Sequence, residues 1–177
     1  MGSIRNEIRQ TRPFDSVADE AVVTLLATAD RVRVALARVT EAHDITLQQY
    51  NVLRILRGAG EEGLPTLDIA SRMIEKSPGI TRLLDRLEAH RLVRRVRCPG
   101  DRRQVLCHAT ETARRLLAGL DRPVADAGRD LLAPLGPPRT AELIRLLDAV
   151  RSTTAPSRST GSNESSSRRK TNKEKKT

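Results

Sequence analysis

Aromatic side chains are all but missing from this chain of 177 residues: there is no tryptophan, and Phe14 and Tyr50 are its only phenylalanine and tyrosine. So few rings give no clue to the chemistry of any ligand. Cysteine is scarce too. Two thiols with no export signal fit a reducing cytoplasm, not a disulfide framework. Long apolar runs are absent, because the stretch from Ala21 to Val39 is interrupted by Asp30, Arg31, Arg33 and Arg38. Those charges exclude a secretion signal and a membrane span. The myristoylation pattern that Gly2 could begin lacks its hydroxyl, since the sixth residue is Asn6. His43, His90 and His108 stand apart, without the His, Cys or carboxylate neighbours of a metal site. No nucleophile motif and no glycine-rich phosphate loop occurs, so neither catalysis nor a cofactor is expected.

What the chain has is focused positive charge. Its formal net charge is +10, and between Ser71 and Arg103 ten basic residues face four acids. Residues 1–150 hold 24 basic and 20 acidic side chains, so the rest of that span is net acidic. Charge gathered on one module suits a polyanion, because each phosphate neutralised releases condensed counterions. A solvated charged face is the alternative. Residues 151–177 are almost all Ser, Thr, Asn, Lys and Arg with no large aliphatic, and a disordered basic tail is expected. Residues 1–150 suffice for one domain.

Apolar spacing gives the organisation. Asp15 or Ser16 caps a helix running to about His43, whose apolar stripe is too long for a small module to cover. Thr46 and Gln49 form a capping box for a second helix through Arg57, ended by Gly58-Ala59-Gly60. Thr66 is the expected cap of a short helix through Met73, packed by Leu67, Ile69 and Ala70. After a three-residue turn, Ser77 caps the next helix and Pro78 takes its first position, where the missing N–H costs nothing. Ile80, Leu83, Leu84 and Leu87 make its buried face, leaving Gly79, Thr81, Arg82, Asp85 and Arg86 outward. Leu92–Cys98 and Arg103–Ala109 read as a β-hairpin about a turn at Pro99-Gly100-Asp101-Arg102. Thr110 caps a helix containing Pro123, and Gly136-Pro137-Pro138 precedes a last helix through Val150. The fold class is mainly α, a winged helix-turn-helix with a two-stranded β-wing.

In this order and spacing the residues resemble the MarR family of bacterial transcription regulators. The resemblance covers roughly Thr24 to Val150. It is carried by Leu47-Gln48-Gln49-Tyr50-Asn51-Val52-Leu53, by Leu67-Asp68-Ile69-Ala70, by Ser77-Pro78-Gly79-Ile80-Thr81-Arg82-Leu83-Leu84-Asp85-Arg86-Leu87, by Leu92-Val93, and by Asp101-Arg102-Arg103. Ala109, where the family usually has leucine, and Ala113, where glycine is common, are small departures in packing. The resemblance implies a homodimer built from the N- and C-terminal helices (16–45 and 110–150) around a DNA-binding winged helix (46–109). It also implies that Asp101 orients Arg103 into a minor groove, with Arg102 on phosphate or as a second minor-groove arginine. A small anionic or aromatic effector would enter a cleft lined by Leu25, Ala29, Tyr50, Leu53 and Arg54.

The helix from Ser77 should lie in the major groove, its first N–H groups and Ser77 meeting a phosphate or base edge. Thr81 and Arg82 are the leading base readers, and Arg86 a backbone contact. Arg82 could instead pair with Asp85 or Glu88 along the helix. Arg94, Arg95 and Arg97 alternate on a strand, so at least one faces away from DNA. A four-residue loop would set Cys98 opposite Arg103 and Cys107 opposite Arg94, about 13 Å apart along the strand and beyond disulfide reach. The redox-switch reading keeps only the lowered pKa that arginines would give Cys98, while Cys107 reads as a small packed residue. The expected function is a cytoplasmic, nucleoid-associated repressor that binds a pseudo-palindromic operator on double-stranded DNA as a homodimer and is released by its effector. Two alternatives stay open: a nonspecific DNA-coating or architectural protein, and an enzyme or enzyme subunit that reuses the winged helix for protein contact.

Overall fold

The computed structural model describes residues 3–75, 79–97 and 104–154. A single turn that the apolar spacing does not announce, α1 (Ile4–Glu7), precedes the first long helix. The Ser16 hydroxyl accepts a hydrogen bond from the Asp19 N–H at 3.1 Å and starts α2 (Val17–Glu41), whose first turn carries Asp19 and Glu20. Both choices suit the positive end of a helix. Thr40 is the only buried residue of these twenty-five.

The capping box of α3 (Leu47–Gly58) forms as expected. Thr46 Oγ1 accepts from the Gln49 N–H at 3.2 Å, and Gln49 Oε1 accepts from the Thr46 N–H at 2.8 Å. Gly60, at φ +65°, supplies the left-handed residue just beyond the helix. Strand β1 (Leu64–Pro65) leads into α4 (Thr66–Arg72). Here two expectations fail. Pro65 is the N-cap and Thr66 already lies in the helix, so Thr66 does not cap it. Leu67 is 80% exposed, and Ile69 with Met73 does the packing.

Helix α5 (Ile80–Ala89) follows, with Gly79 as its N-cap. The start expected at Ser77 and Pro78 lies outside the described residues. Leu83, Leu84 and Leu87 are buried, as the spacing requires. Strands β2 (Val93–Arg97) and β3 (Val105–Ala109) pair antiparallel, and β1 adds a third strand, giving the order β1-β3-β2. The sheet is thus three-stranded where the sequence showed two, because a two-residue strand carries no alternation to detect.

The register also differs by one residue. Arg95, not Arg94, is opposite Cys107, and Arg97 is opposite Val105. The pairing aligns Val93 with Ala109, setting core-facing side chains together, and burial overrides the turn length assumed. Thr110 Oγ1 accepts from the Ala113 N–H to start α6 (Glu111–Leu132), which contains Pro123. Leu117 and Leu120 are fully buried, but Leu131 and Leu132 are exposed, against expectation.

Two compact units result, one ending at Pro134 and one starting at Leu135. The first has its core where α3, α4, α5, β3 and α6 converge, at Leu53, Leu56, Ile69, Leu84, Leu87 and Leu117. In the second, α7 (Gly136–Thr154) begins at a glycine with φ +66°, and Pro137 and Pro138 fill its first turn. It runs four residues past Val150, where the apolar spacing ended the last helix, with Arg151 paired to Asp148. Residues 155–177, the expected disordered tail, lie outside the described residues.

Candidate nucleic-acid interface

Four titratable residues mark the outer side of α5: Arg82, Asp85, Arg86 and Glu88. Thr81, Arg82, Asp85 and Arg86 are exposed, as expected, and Gly79 is half-buried. The intrahelical pairs considered for Arg82 do not form. Among the described residues Arg82 and Arg86 make no ion pair, because both carboxylates turn to the wing.

Arg95, on β2, takes them. Its Nη1 donates to Asp85 Oδ1 at 2.6 Å and to Glu88 Oε2 at 2.9 Å, and its backbone N–H donates to Glu88 Oε1 at 3.2 Å. Nη2 lies 3.4 Å from the Thr81 carbonyl oxygen, a long contact. Burial opposes the charge on Arg95, but the hydrogen bond and charge of Asp85 overcome it and raise the guanidinium's pKa. Arg95 is therefore a strut between wing and helix. Strand alternation sets Arg94 on one face and Arg95 with Arg97 on the other, and of these Arg95 is the one held by α5. Arg94 and Arg97 remain exposed on the wing. Ser77, Pro78, Cys98, Asp101, Arg102 and Arg103 lie outside the described residues.

The expected effector residues divide. Ala29, Tyr50 and Arg54 line a cavity of about 710 Å³ between α2, α3 and residues 73–75, which lead toward α5. Leu53 does not: it is fully buried in the core. Leu25 is 40% exposed and is not part of the lining. Arg54 lies over the Tyr50 ring, 5.7 Å from its centre, and burial raises the Tyr50 phenol's pKa. Arg33, also lining, is held by Asp30 at 2.5 Å. Gln48 donates to Glu75 at 3.0 Å across 27 residues of sequence, a link no local pattern could reveal.

Two further polar features lie on the module. Arg57 of α3 forks onto Asp121 of α6 with both bonds at 2.9 Å, which lowers the Asp121 pKa. His108 is buried with Nδ1 unpartnered among the described residues, and burial with Arg94 nearby lowers its pKa. Cys107 is fully buried, as a packed thiol should be. No helix among the described residues is long and apolar enough to cross a membrane.

Comparison with known proteins gives the class. A sequence profile of the MarR family matches residues 45–105. The crystal structure of a MarR transcription factor from Planctomyces limnophilus shares 39% identity, covering 77% of this chain and 99% of its own, with a TM-score of 0.60. The HTH-type transcriptional regulator TtmR of Methylorubrum extorquens (strain PA1) is 43% identical over 79 residues, 45% of this chain. The match spans only 40% of that curated relative's length. CouR from Rhodococcus jostii RHA1, crystallised with p-coumaroyl-CoA, is 27% identical over 81% of this chain and 97% of its own, at a TM-score of 0.66. The chain belongs to the MarR family of transcription regulators.

Proposed function

We propose that this chain is a sequence-specific DNA-binding repressor, acting as a homodimer on a pseudo-palindromic operator and released by a small effector. The observation that carries the reading is the exposed row Thr81, Arg82 and Arg86 on α5, set beside a wing that exposes Arg94 and Arg97, in a MarR-family winged helix. A helix of this kind lies in a major groove while the wing meets the neighbouring backbone or minor groove. Uncovered apolar residues on α2, including Val22 and Leu26, support pairing of two chains. The cavity at Ala29, Tyr50 and Arg54 supports an anionic or aromatic effector, and CouR's p-coumaroyl-CoA is an example from a relative.

Selection of bound duplexes from a random pool tests the reading, using the full chain and a form ending at Thr154. A twofold pattern with half-sites about one helical turn apart is expected. Arg82→Ala should relax one base position by about 1–3 kcal/mol. A pool enriched without symmetry, with equal affinity for every duplex, would leave the nonspecific coating alternative, which the basic residues after Thr154 favour.

A further inference from the structure

Taken alone, the recognition helix is not basic. The charges of α5 cancel, Arg82 and Arg86 against Asp85 and Glu88. Helical spacing sorts them into two adjacent rows, Arg82 with Arg86 and Asp85 with Glu88. A phosphate backbone approaching this surface would meet attraction from one row and repulsion from the other. The acidic row is still exposed, Asp85 at 54% and Glu88 at 41%, but a wing arginine already pairs with it. Arg95 lies across both carboxylates at 2.6 and 2.9 Å with its side chain only 24% exposed, while the basic row has no ion-pair partner among the described residues.

We propose that Arg95 is a charge-masking residue: its single positive charge, held against Asp85 and Glu88, offsets half the charge of the acidic row of α5 so that Arg82 and Arg86 can meet phosphate, without touching the nucleic acid itself. The inference rests on the DNA-binding reading above. It gives Asp85 and Glu88 a role as well, since they hold a wing arginine off the DNA and against the helix. The charge that the α5 surface shows a duplex is then shifted at this three-residue junction.

The test is a set of dissociation constants for the full chain on a mixed-sequence duplex of roughly 30 base pairs at low salt, where phosphate contact dominates. Arg95→Met keeps the apolar stem and unmasks both carboxylates, and should weaken binding about tenfold or more. The triple variant R95M/D85N/E88Q has nothing left to mask, and should return to within about threefold of the parent by the coupling among the three sites. A triple variant as weak as R95M overturns the inference, whether the cause is a lost phosphate contact or lost wing packing. If it is a phosphate contact, the log–log salt slope also falls by about 0.9.

Should R95M not fold by circular dichroism, D85N/E88Q with Arg95 retained decides. Removing both carboxylates leaves Arg82, Arg86 and Arg95 unopposed and must tighten binding, and weakening overturns the proposal. A parent protein that fails to retard the duplex at low salt sinks the DNA-binding reading and this inference together. A parent that binds, with a triple variant that does not recover, sinks the inference alone.

Discussion

The winged-helix module and the long helix ahead of it treat apolar residues in opposite ways. From Ile45 to Leu120 the chain closes its own core, with Val52, Leu53, Leu56, Ile69, Leu84, Leu87, Leu117 and Leu120 all at zero exposure. Helix α2 is more than twice as long as α3 or α5, yet it buries one threonine and leaves Val22 at 57% and Leu26 at 66% exposed. A module that satisfies itself is a folding unit. A long helix with an uncovered apolar stripe is the surface that the proposed pairing of two chains would cover.

The largest expected effect therefore lies in the module. Leu84→Ala removes a fully buried side chain and should cost about 3 kcal/mol in urea unfolding. Leu26→Glu on α2 should leave the module's secondary structure intact and instead lower the molecular mass seen by analytical ultracentrifugation. If the parent sediments as one chain and Leu26→Glu changes nothing, the contrast between the regions has no functional meaning.

The sequence was legible where one pattern decides. The Thr46–Gln49 box, the Ser16 and Thr110 caps and the buried face of α5 each depend on residues within four positions of one another. The start of α4 was not legible at Thr66, because the helix begins one residue earlier than a Thr66 cap would set it, with Pro65 at the N-cap and no side-chain capping bond. The strand register was not legible from turn length, because Val93, Cys107 and Ala109 face the core together and burial fixes it. Of the candidate interface, the exposed side of α5 was readable from helical period. The partner of Asp85 and Glu88 was not, since Arg95 reaches them only after the wing folds back. Leu53 was placed in a cleft on resemblance alone, and close packing claims it instead.

Smaller effects probe how tightly the module is closed at its edges. Gly63 has φ +68°, and a Cβ there would stand 2.5 Å from the His108 ring and 2.8 Å from the Cys107 carbonyl oxygen. Gly63→Ala should cost about 1–3 kcal/mol through backbone strain and displacement of the ring. Its urea midpoint should fall more than that of Gly58→Ala, where nothing lies within 4 Å of the added carbon. Equal midpoints would show that neither the left-handed backbone nor the close approach to His108 and the Cys107 carbonyl costs stability at Gly63. Thr46→Ala removes one half of the capping box and should cost about 1 kcal/mol, with no change in oligomeric mass.

The smallest effect is a pH dependence, and it too separates regions. Burial first, and the Arg94 guanidinium second, hold the His108 imidazole below its ordinary 6.5, while a backbone contact with Glu61 opposes them. Because the folded form favours the neutral ring, the unfolded chain binds the proton more readily. The contribution of His108 is complete above pH 6.5 and is lost as pH falls from there toward the folded value. Asp121 has the same sign but a lower window. Its hydrogen bonds from Arg57 depress its pKa below 3.8, so that contribution is complete above pH 3.8 and fades only as pH falls through the folded value. The pair is partly solvent-exposed, which keeps its contribution small. Melting temperatures of the parent and His108→Gln, compared between pH 7.5 and 5.5, should converge on acidification as the parent alone loses stability at this site. Parallel curves would remove His108 as the cause and leave the acid response to charges outside the buried module.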